Sequence, residues 1–255
     1  MKLIIQSLLP EDSISHFVHS FWMVENKTGA DIPGTILPNG MMDMTLMKMN
    51  SENWEMSVRG LDTVPGQVTI VQDAKIFSVG FKLLAVEYLF GDSIKEVLNE
   101  GKMIPNDFWQ FDQNDKESLE NFRKKVTQKI NAFSIKPIDE RKKKLFQLIY
   151  ASQGAITVKE LSEKVFWSSR QINRYFNQQF GISLKAYCNI LRFSSSFKDL
   201  SEGNLFPDLN FTDQNHFIKE IKKYSGVTPK ELSKNTNERF MDIVAIKKLP
   251  TQKND

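Results

Sequence analysis

The rhythm of apolar and polar positions divides the chain into two parts. The first part holds short apolar or alternating runs: HFVHSFWMVEN, GTILPNGMMDMTLMKMN, WEMSVRGL and GQVTIVQDAKIFSVGFKL. Pro-Gly, Asn-Gly and Gly signals punctuate them, which predicts strands of a small sandwich or barrel. After Gly80 the rhythm turns helical, in AVEYLFG, SIKEVLN and the amphipathic KESLENFRKKVTQKINAF. Residues 134–144, SIKPIDERKKK, combine a proline with a dense charge run and mark a boundary.

Beyond Asp139 nearly everything reads as helix. DERKKKLFQLIYASQG opens on Asp and ends at Gly154, a C-cap residue. Thr157 and Glu160 have capping-box spacing, and Ser168 is placed to cap the helix that follows. In that helix Ile172, Tyr175, Phe176 and Phe180 fall on one stripe at 3.6-residue spacing. Arg170, Asn173, Arg174 and Asn177 fall opposite, on a face without a carboxylate. A solvated face usually mixes Lys with Glu. This one carries the side chains that pair with purine edges or bind phosphate.

SLKAYCNILRFSSSFKDL reads as one long helix over residues 183–200, with Leu184, Tyr187, Cys188 and Leu191 on its apolar stripe. Cys188 is thus expected as a small core residue. A helix, a short turn and a second helix with a polar outer face make a helix-turn-helix. The unit recurs: INRYFNQQFGIS (172–183) and FIKEIKKYSGVT (217–228) superpose at an offset of 45 residues. Gly181 and Gly226 match, each where a helix needs a left-handed terminator.

Composition narrows the classes. A chain of 255 residues with 40% hydrophobic and 25% charged residues is ordinary for a globular protein of two domains. One cysteine excludes an intramolecular disulfide and a Cys-based zinc site. The apolar runs are too short to span a bilayer, and MKLIIQSLLP has no signal-cleavage pattern, so the default expectation is cytoplasmic. The net charge of +3 splits into −5 over residues 1–135 and +8 over 136–255, which points one part toward a polyanion.

ITVKELSEKVFWSSRQINRYFNQQFGISLKAY and LNFTDQNHFIKEIKKYSGVTPKEL resemble the DNA-binding domain of the AraC/XylS family of bacterial transcription regulators. The likeness covers residues 140–235, about two-fifths of the chain, and is most specific in the DQ-HF helix start and the final G-TP. It implies a seven-helix domain whose two recognition helices enter neighbouring major-groove segments, joined by the helix 183–200. Phe166 stands where the family usually has glycine, and Pro207 falls in the short positioning helix NLFPDL. That helix must therefore start near Asn204 or later.

Candidate DNA contacts on the first recognition helix are Ser169, Arg170, Asn173, Arg174 and Asn177, with Arg170 suited to guanine and Asn173 to adenine. Arg174 suits phosphate. On the second they are Gln214, Asn215, Ile218, Lys219 and Lys222. Lys222 and Lys223 suit phosphates or solvent, and His216 falls beside the core stripe.

ILPNGMMDMTLM and VGFKLLAVEYLFG resemble the cupin-like sensor domains that precede such DNA-binding units, which implies a small β-barrel that binds an effector or dimerises. Leu83 stands where such domains often have proline. His16 and His19 lack a third metal ligand, so no metal and no cofactor is expected. No nucleophile elbow, phosphate loop or dinucleotide fingerprint occurs. Asp43 is either an interior acid or part of an exposed face. Met41, Met42, Met44, Met47 and Met49 either line a pocket or pack a core.

The expected architecture is α+β in two domains. A cupin-like β-barrel with flanking helices spans 1–135, and an all-α domain with two helix-turn-helix units, at 157–181 and 204–226, spans 136–240. A tail spans 241–255. The expected function is non-enzymatic regulation of transcription. Candidate partners are double-stranded DNA, a small-molecule effector, RNA polymerase and a second copy, with no membrane. Rival readings are a metal-independent cupin-type enzyme, marked by a polar cavity with a shifted carboxylate, and an interaction protein whose Arg170 face is covered.

Overall fold

The computed structural model describes residues 2–49, 53–91, 93–133, 137–207, 211 and 213–248. Its strands are β1 (Leu3–Leu8), β2 (Val18–Asn26), β3 (Ile32–Ile36), β4 (Met42–Lys48), β5 (Glu55–Arg59), β6 (Gly66–Ile70), β7 (Lys75–Phe81) and β8 (Gly101–Ile104). They form an antiparallel sheet in the order β1-β2-β7-β4-β5-β8 and a separate ribbon of β3 with β6. The hydrophobic pattern anticipates the strand runs from β2 to β7; β1 and β8, too short or weakly patterned, are additions.

Alternation along each strand assigns its two faces. In β4, Met42, Met44 and Leu46 are buried while Asp43, Thr45 and Met47 are half-buried. The first set shares the main core with Phe21, Phe77 and Phe81 of the neighbouring strands. Helix α2 (Leu119–Ala132) covers that core. Its Phe122 ring lies 6.2 Å from Phe21, 5.4 Å from Phe77 and 5.2 Å from Phe111. The other face of the sheet turns toward the ribbon.

The link between the sheet and α2 departs from expectation. AVEYLFG forms α1 (Leu83–Ala85) and one π-helical turn, Val86–Phe90. SIKEVLN forms only a 3-10 turn, Lys95–Val97. Its backbone is spent elsewhere, because Ile94 N–H donates to the Gln179 carbonyl (2.9 Å).

The remaining helices are α3 (Glu140–Ala151), α4 (Val158–Val165), α5 (Ser169–Phe180), α6 (Leu184–Ser195), α7 (Phe197–Ser201), α8 (Gln214–Ser225), α9 (Pro229–Lys234) and α10 (Met241–Lys248). The chain is thus an α+β protein, a β-sheet domain followed by a helical region. The boundary drawn at 135/136 lies outside the described residues. Asp139 caps α3 through Arg141 N–H (2.8 Å). Gly154, with φ +76°, closes the helix end, and a Cβ there would stand 2.2 Å from the Cys188 carbonyl oxygen. Glycine is required at this crossing of α3 and α6.

The single helix expected over 183–200 is two, α6 and α7, parted at Ser196. Ser194, Ser195 and Ser196 each turn their hydroxyl onto the carbonyl three residues back, at 3.1, 2.8 and 2.6 Å. Such back-bonds compete with the helical ladder and bend it. Residues 241–248, expected as the start of a tail, form α10, which returns to the sheet domain. Thr35 N–H donates to the Arg239 carbonyl (2.7 Å), and Ser7 Oγ donates to the Ala245 carbonyl (3.1 Å).

The core runs unbroken from the sheet into the helices. Phe146 of α3 sits 5.9 Å from Phe176 and 6.1 Å from Phe180 of α5. Phe176→Ala should cost about 3–5 kcal/mol by leaving a cavity, whereas Asn177→Ala on the exposed face should cost less than ~0.5 kcal/mol. Denaturant melts of both variants check this; equal midpoint shifts would refute the facing assigned to α5.

Candidate functional site

Helices α4 and α5 form a tight helix-turn-helix with both starts fixed by capping boxes. Thr157 pairs with Glu160, and Ser168 with Gln171. The turn between them passes through Phe166, at φ 53° and ψ 42°, with 87% of its surface exposed. The left-handed geometry that a glycine would adopt freely is therefore kept by a phenylalanine.

Ile172, Tyr175, Phe176 and Phe180 are buried. Ser169, Arg170, Arg174 and Asn177 are exposed, and Asn173 is half-buried. Among the described residues Arg170 and Arg174 form no ion pair. Asn173 Nδ2 donates to the Ser169 carbonyl (3.0 Å) and Asn177 Nδ2 to that of Asn173 (2.8 Å), so both amides lie along the helix. The sheet domain holds the far end of α5. Ser93 Oγ donates to the carbonyls of Gln178 (2.8 Å) and Gln179 (2.9 Å), filling C-terminal acceptors that the helix leaves open.

In the second unit α8 starts on Asp213, whose Oδ1 accepts from His216 N–H (2.8 Å). Phe217, Ile221 and Tyr224 are buried; Gln214, Asn215, Lys219 and Lys222 are exposed, and Ile218 is half-buried. His216 lies against Phe211, ring centres 5.7 Å apart. Lys223 Nζ donates to the Tyr224 hydroxyl (3.1 Å). The positioning helix expected at NLFPDL has no helical turn over 204–207, where Asn204 Oδ1 accepts from Phe206 N–H (3.2 Å). Residues 208–210 and 212 lie outside the described residues.

A cavity of about 720 Å³ lies between the inner face of the sheet, the β3–β6 ribbon and the helices. Asp43, Thr45 and Met47 of β4 reach it from the sheet; Val68 and Ile70 face them from the ribbon. Met241, Asp242, Ala245 and Ile246 of α10 supply another wall, and Leu191, Ser194, Ser195 and Phe197 bring in the α6–α7 break. Met47 and Met49 line the cavity, Met42 and Met44 pack the core, and Met41 does both.

Two acids face this space. Burial pushes Asp43 up to about 7, with Asp242 and Asp62 adding repulsion and hydrogen bonds from Trp22 and Ser78 opposing it. Asp242 is pushed up to about 6, again chiefly by burial. Its carboxylate accepts from Leu37 N–H (2.7 Å) and Asn39 Nδ2 (3.1 Å). The cations nearby are engaged. Arg59 forks onto Asp62 at 2.8 and 2.7 Å, and Lys82 Nζ donates to the Ser15 carbonyl at 2.6 Å.

His19 opens onto the cavity and is held down to about 4 by burial, then by Lys82; His16 precedes β2 and is not part of the lining. No group of three metal-ligating side chains occurs among the described residues. The sequence pattern singles out Asp43 but not Asp242, whose signal is the apolar spacing of Phe240, Ile243, Val244 and Ile246 in the supposed tail.

Residues 6–101 match a family described as a domain of unknown function, DUF6597. No curated protein matches the chain. Solved structures with a similar arrangement include ToxT from Vibrio cholerae, 10% identical over 91% of this chain and 97% of that one, TM-score 0.44. Another is ToxT from V. cholerae O395 bound to (E)-4-(8-methylnaphthalen-1-yl)but-3-enoic acid, at 12% identity, 91% and 97% coverage and TM-score 0.44. A third is unsaturated fatty acid bound wild-type ToxT from strain SCE256, at 14%, 91% and 94%, and 0.39. No helix among the described residues is long and apolar enough to cross a membrane.

Two outcomes follow from this geometry. Phe166→Gly should stabilise the fold by about 0.5–1 kcal/mol, because glycine relieves the left-handed strain at some entropic cost; thermal melting checks it, and an unchanged or lower midpoint would count against strain at the turn. Asp43 has a folded pKa near 7 against 3.8 unfolded, so its folded form holds the proton more tightly and stability falls as pH rises between those values. Asp43→Asn should therefore raise the melting temperature above pH 7, and the gain should close below pH 3.8. A gain that is the same at both ends would contradict the shift.

Proposed function

We propose that this protein is a sequence-specific DNA-binding regulator of transcription of the AraC/XylS type, controlled by an effector in its sheet-domain cavity. The observation that carries the reading is the face of α5: exposed Arg170 and Arg174, flanking amides, no carboxylate and no ion pair among the described residues. A cation left without partners on a capped, rigid helix is suited to meet a polyanion. In this reading Arg170 reads guanine, Asn173 reads adenine after leaving its helix carbonyl, and Arg174 holds phosphate. Ser169 and Asn177 flank them. Gln214, Asn215, Ile218, Lys219 and Lys222 of α8 are the contacts of the second unit, and RNA polymerase and a second copy are further partners.

The exposure of the α5 face weighs against an interaction protein in which the sheet domain covers it. A preformed cavity with a carboxylate near neutrality is the feature that favours a cupin-type enzyme, and a sensor domain uses the same feature for recognition. DNA binding separates the two.

Neutralising four to eight phosphates should give a log–log salt slope of about −4 to −7. A slope near zero, or no retention of any genomic fragment at low salt, would remove the DNA reading. Selection from a randomised duplex library should then sort the side chains. Arg170→Ala and Asn173→Ala should each lose about 1–3 kcal/mol, concentrated at one or two base positions. Arg174→Ala should weaken all sequences alike and flatten the slope by about one unit. Gln214→Ala should relax specificity about one helical turn away. Unchanged preference and affinity in the first two variants would make the α5 face a merely solvated one.

A further inference from the structure

We propose that the sheet-domain cavity binds a small amphiphilic cation, an apolar body carrying a protonated amine, with the ammonium set against the Asp43 carboxylate. This deepens the regulator reading, on which it rests, by naming the class of its effector. The argument begins with the space, about 720 Å³, within the range that accommodates a drug-sized ligand. Its walls supply an apolar bed: Met47, Val68, Ile70, Met241 and Ile246 line it from three elements.

The charge inventory then selects the sign of the ligand. Interior carboxylates are ordinarily paired with a cation. Among the described residues neither Asp43 nor Asp242 forms an ion pair. Asp242 has its acceptors engaged by Leu37 and Asn39. Among the described residues Asp43 is met by the Trp22 indole and Ser78 Oγ, the latter at a long 3.4 Å. Arg59 and Lys82 also line the cavity; Asp62 neutralises Arg59, while Lys82 keeps its charge and gives an N–H to the Ser15 carbonyl. An anion would thus meet two carboxylates against the single unpaired charge of Lys82. A neutral apolar guest would meet Asp43 in its protonated form and gain no charge-assisted contact from it.

An ammonium supplies what the site lacks. It replaces the proton that Asp43 otherwise holds near neutrality, and the Trp22 ring on the same wall adds a cation–π surface. No covalent bond to the ligand is made or broken; one proton leaves Asp43 where it was protonated.

The test titrates the full-length chain with decylamine, decanol and decanoate, each below its micellar concentration, by calorimetry and Trp fluorescence. Decylamine should saturate one site per chain and bind at least about tenfold more tightly than the other two, as expected of a charge-assisted contact. Near the Asp43 midpoint its binding should release protons, read as a dependence of the heat on buffer ionisation. Asp43→Asn should bring the amine down to the level of the alcohol.

Decanoate binding as tightly as the amine, non-saturating uptake of the amine, or an amine affinity unchanged in Asp43→Asn would each overturn the proposal. Should Asp43→Asn not fold, the order of the three ligands and the proton release on the wild-type chain still decide it. DNA retention measured on the same preparation keeps the two readings apart. Amine binding without DNA binding would remove the regulator reading alone, and DNA binding without amine preference would remove this proposal alone.

Discussion

Two tyrosine hydroxyls hold the halves of this molecule together, and the rest of the arrangement depends on them. Tyr187 of α6 donates to the Gly40 carbonyl at 3.0 Å. Tyr150 of α3 lies 3.0 Å from Tyr187 and accepts from Leu83 N–H at 3.1 Å. Gly40 and Leu83 stand at turns where the backbone groups have no ladder partner, so the hydroxyls satisfy polar groups that burial would otherwise penalise by about 1–3 kcal/mol each. Gly40 itself sits at φ +79°, and a Cβ there would approach Leu191 Cδ2 to 2.8 Å. Neither aromatic could be exchanged for Phe without stranding a buried donor or acceptor. The helices are thereby seated at one fixed height over the sheet.

That seat decides where the cavity lies and what it touches. With α3 and α6 pinned, the end of α6 and the start of α7 fall against the opening of the sheet, and Ser194, Ser195 and Phe197 become part of its wall. Three serine back-bonds already weaken the helix there, so this is the place where the connection between α5 and α8 yields most readily. An occupant shifts an equilibrium only through contacts that differ between two states. The break and α10 are the elements in which such a difference can arise. Ser93 and Ile94 hold the carbonyl end of α5 and Lys142 reaches Glu87 at 2.7 Å, so the first unit is tied to the sheet domain. The second unit lies beyond the break and packs on α6 through Phe193 and Tyr224, ring centres 5.2 Å apart.

Local rules make most elements legible in the sequence. The capping residues Asp139, Thr157, Ser168 and Asp213 mark helix starts because their side chains act on neighbours three residues away at most. The stripe of Ile172, Tyr175, Phe176 and Phe180 is equally local, since it depends only on helical period. What escapes such rules depends on partners far along the chain. β8 is four residues long and exists by pairing with β5. SIKEVLN has a helical pattern, yet its backbone goes to the end of α5. α10 resembles a tail in sequence because its apolar face is short and its partners, Leu37 and Ser7, are about two hundred residues away. The exposed faces of α5 and α8 follow from helical period alone; the cavity is assembled from the sheet, the ribbon, the α6–α7 break and α10, and no local pattern marks it.

Two of the residues that break local rules bear on the candidate sites. Phe166 holds a large, exposed ring in a left-handed turn, and Asp43 holds a carboxylate where alternation and burial favour an apolar or neutral side chain. Either could be relieved by a single substitution, to Gly or to Asn, with a gain in stability rather than a loss. Sequences that are locally consistent almost everywhere concentrate their exceptions where stability is not the only demand. Of these two, one stands at the turn that presents α5 and the other at the wall of the cavity.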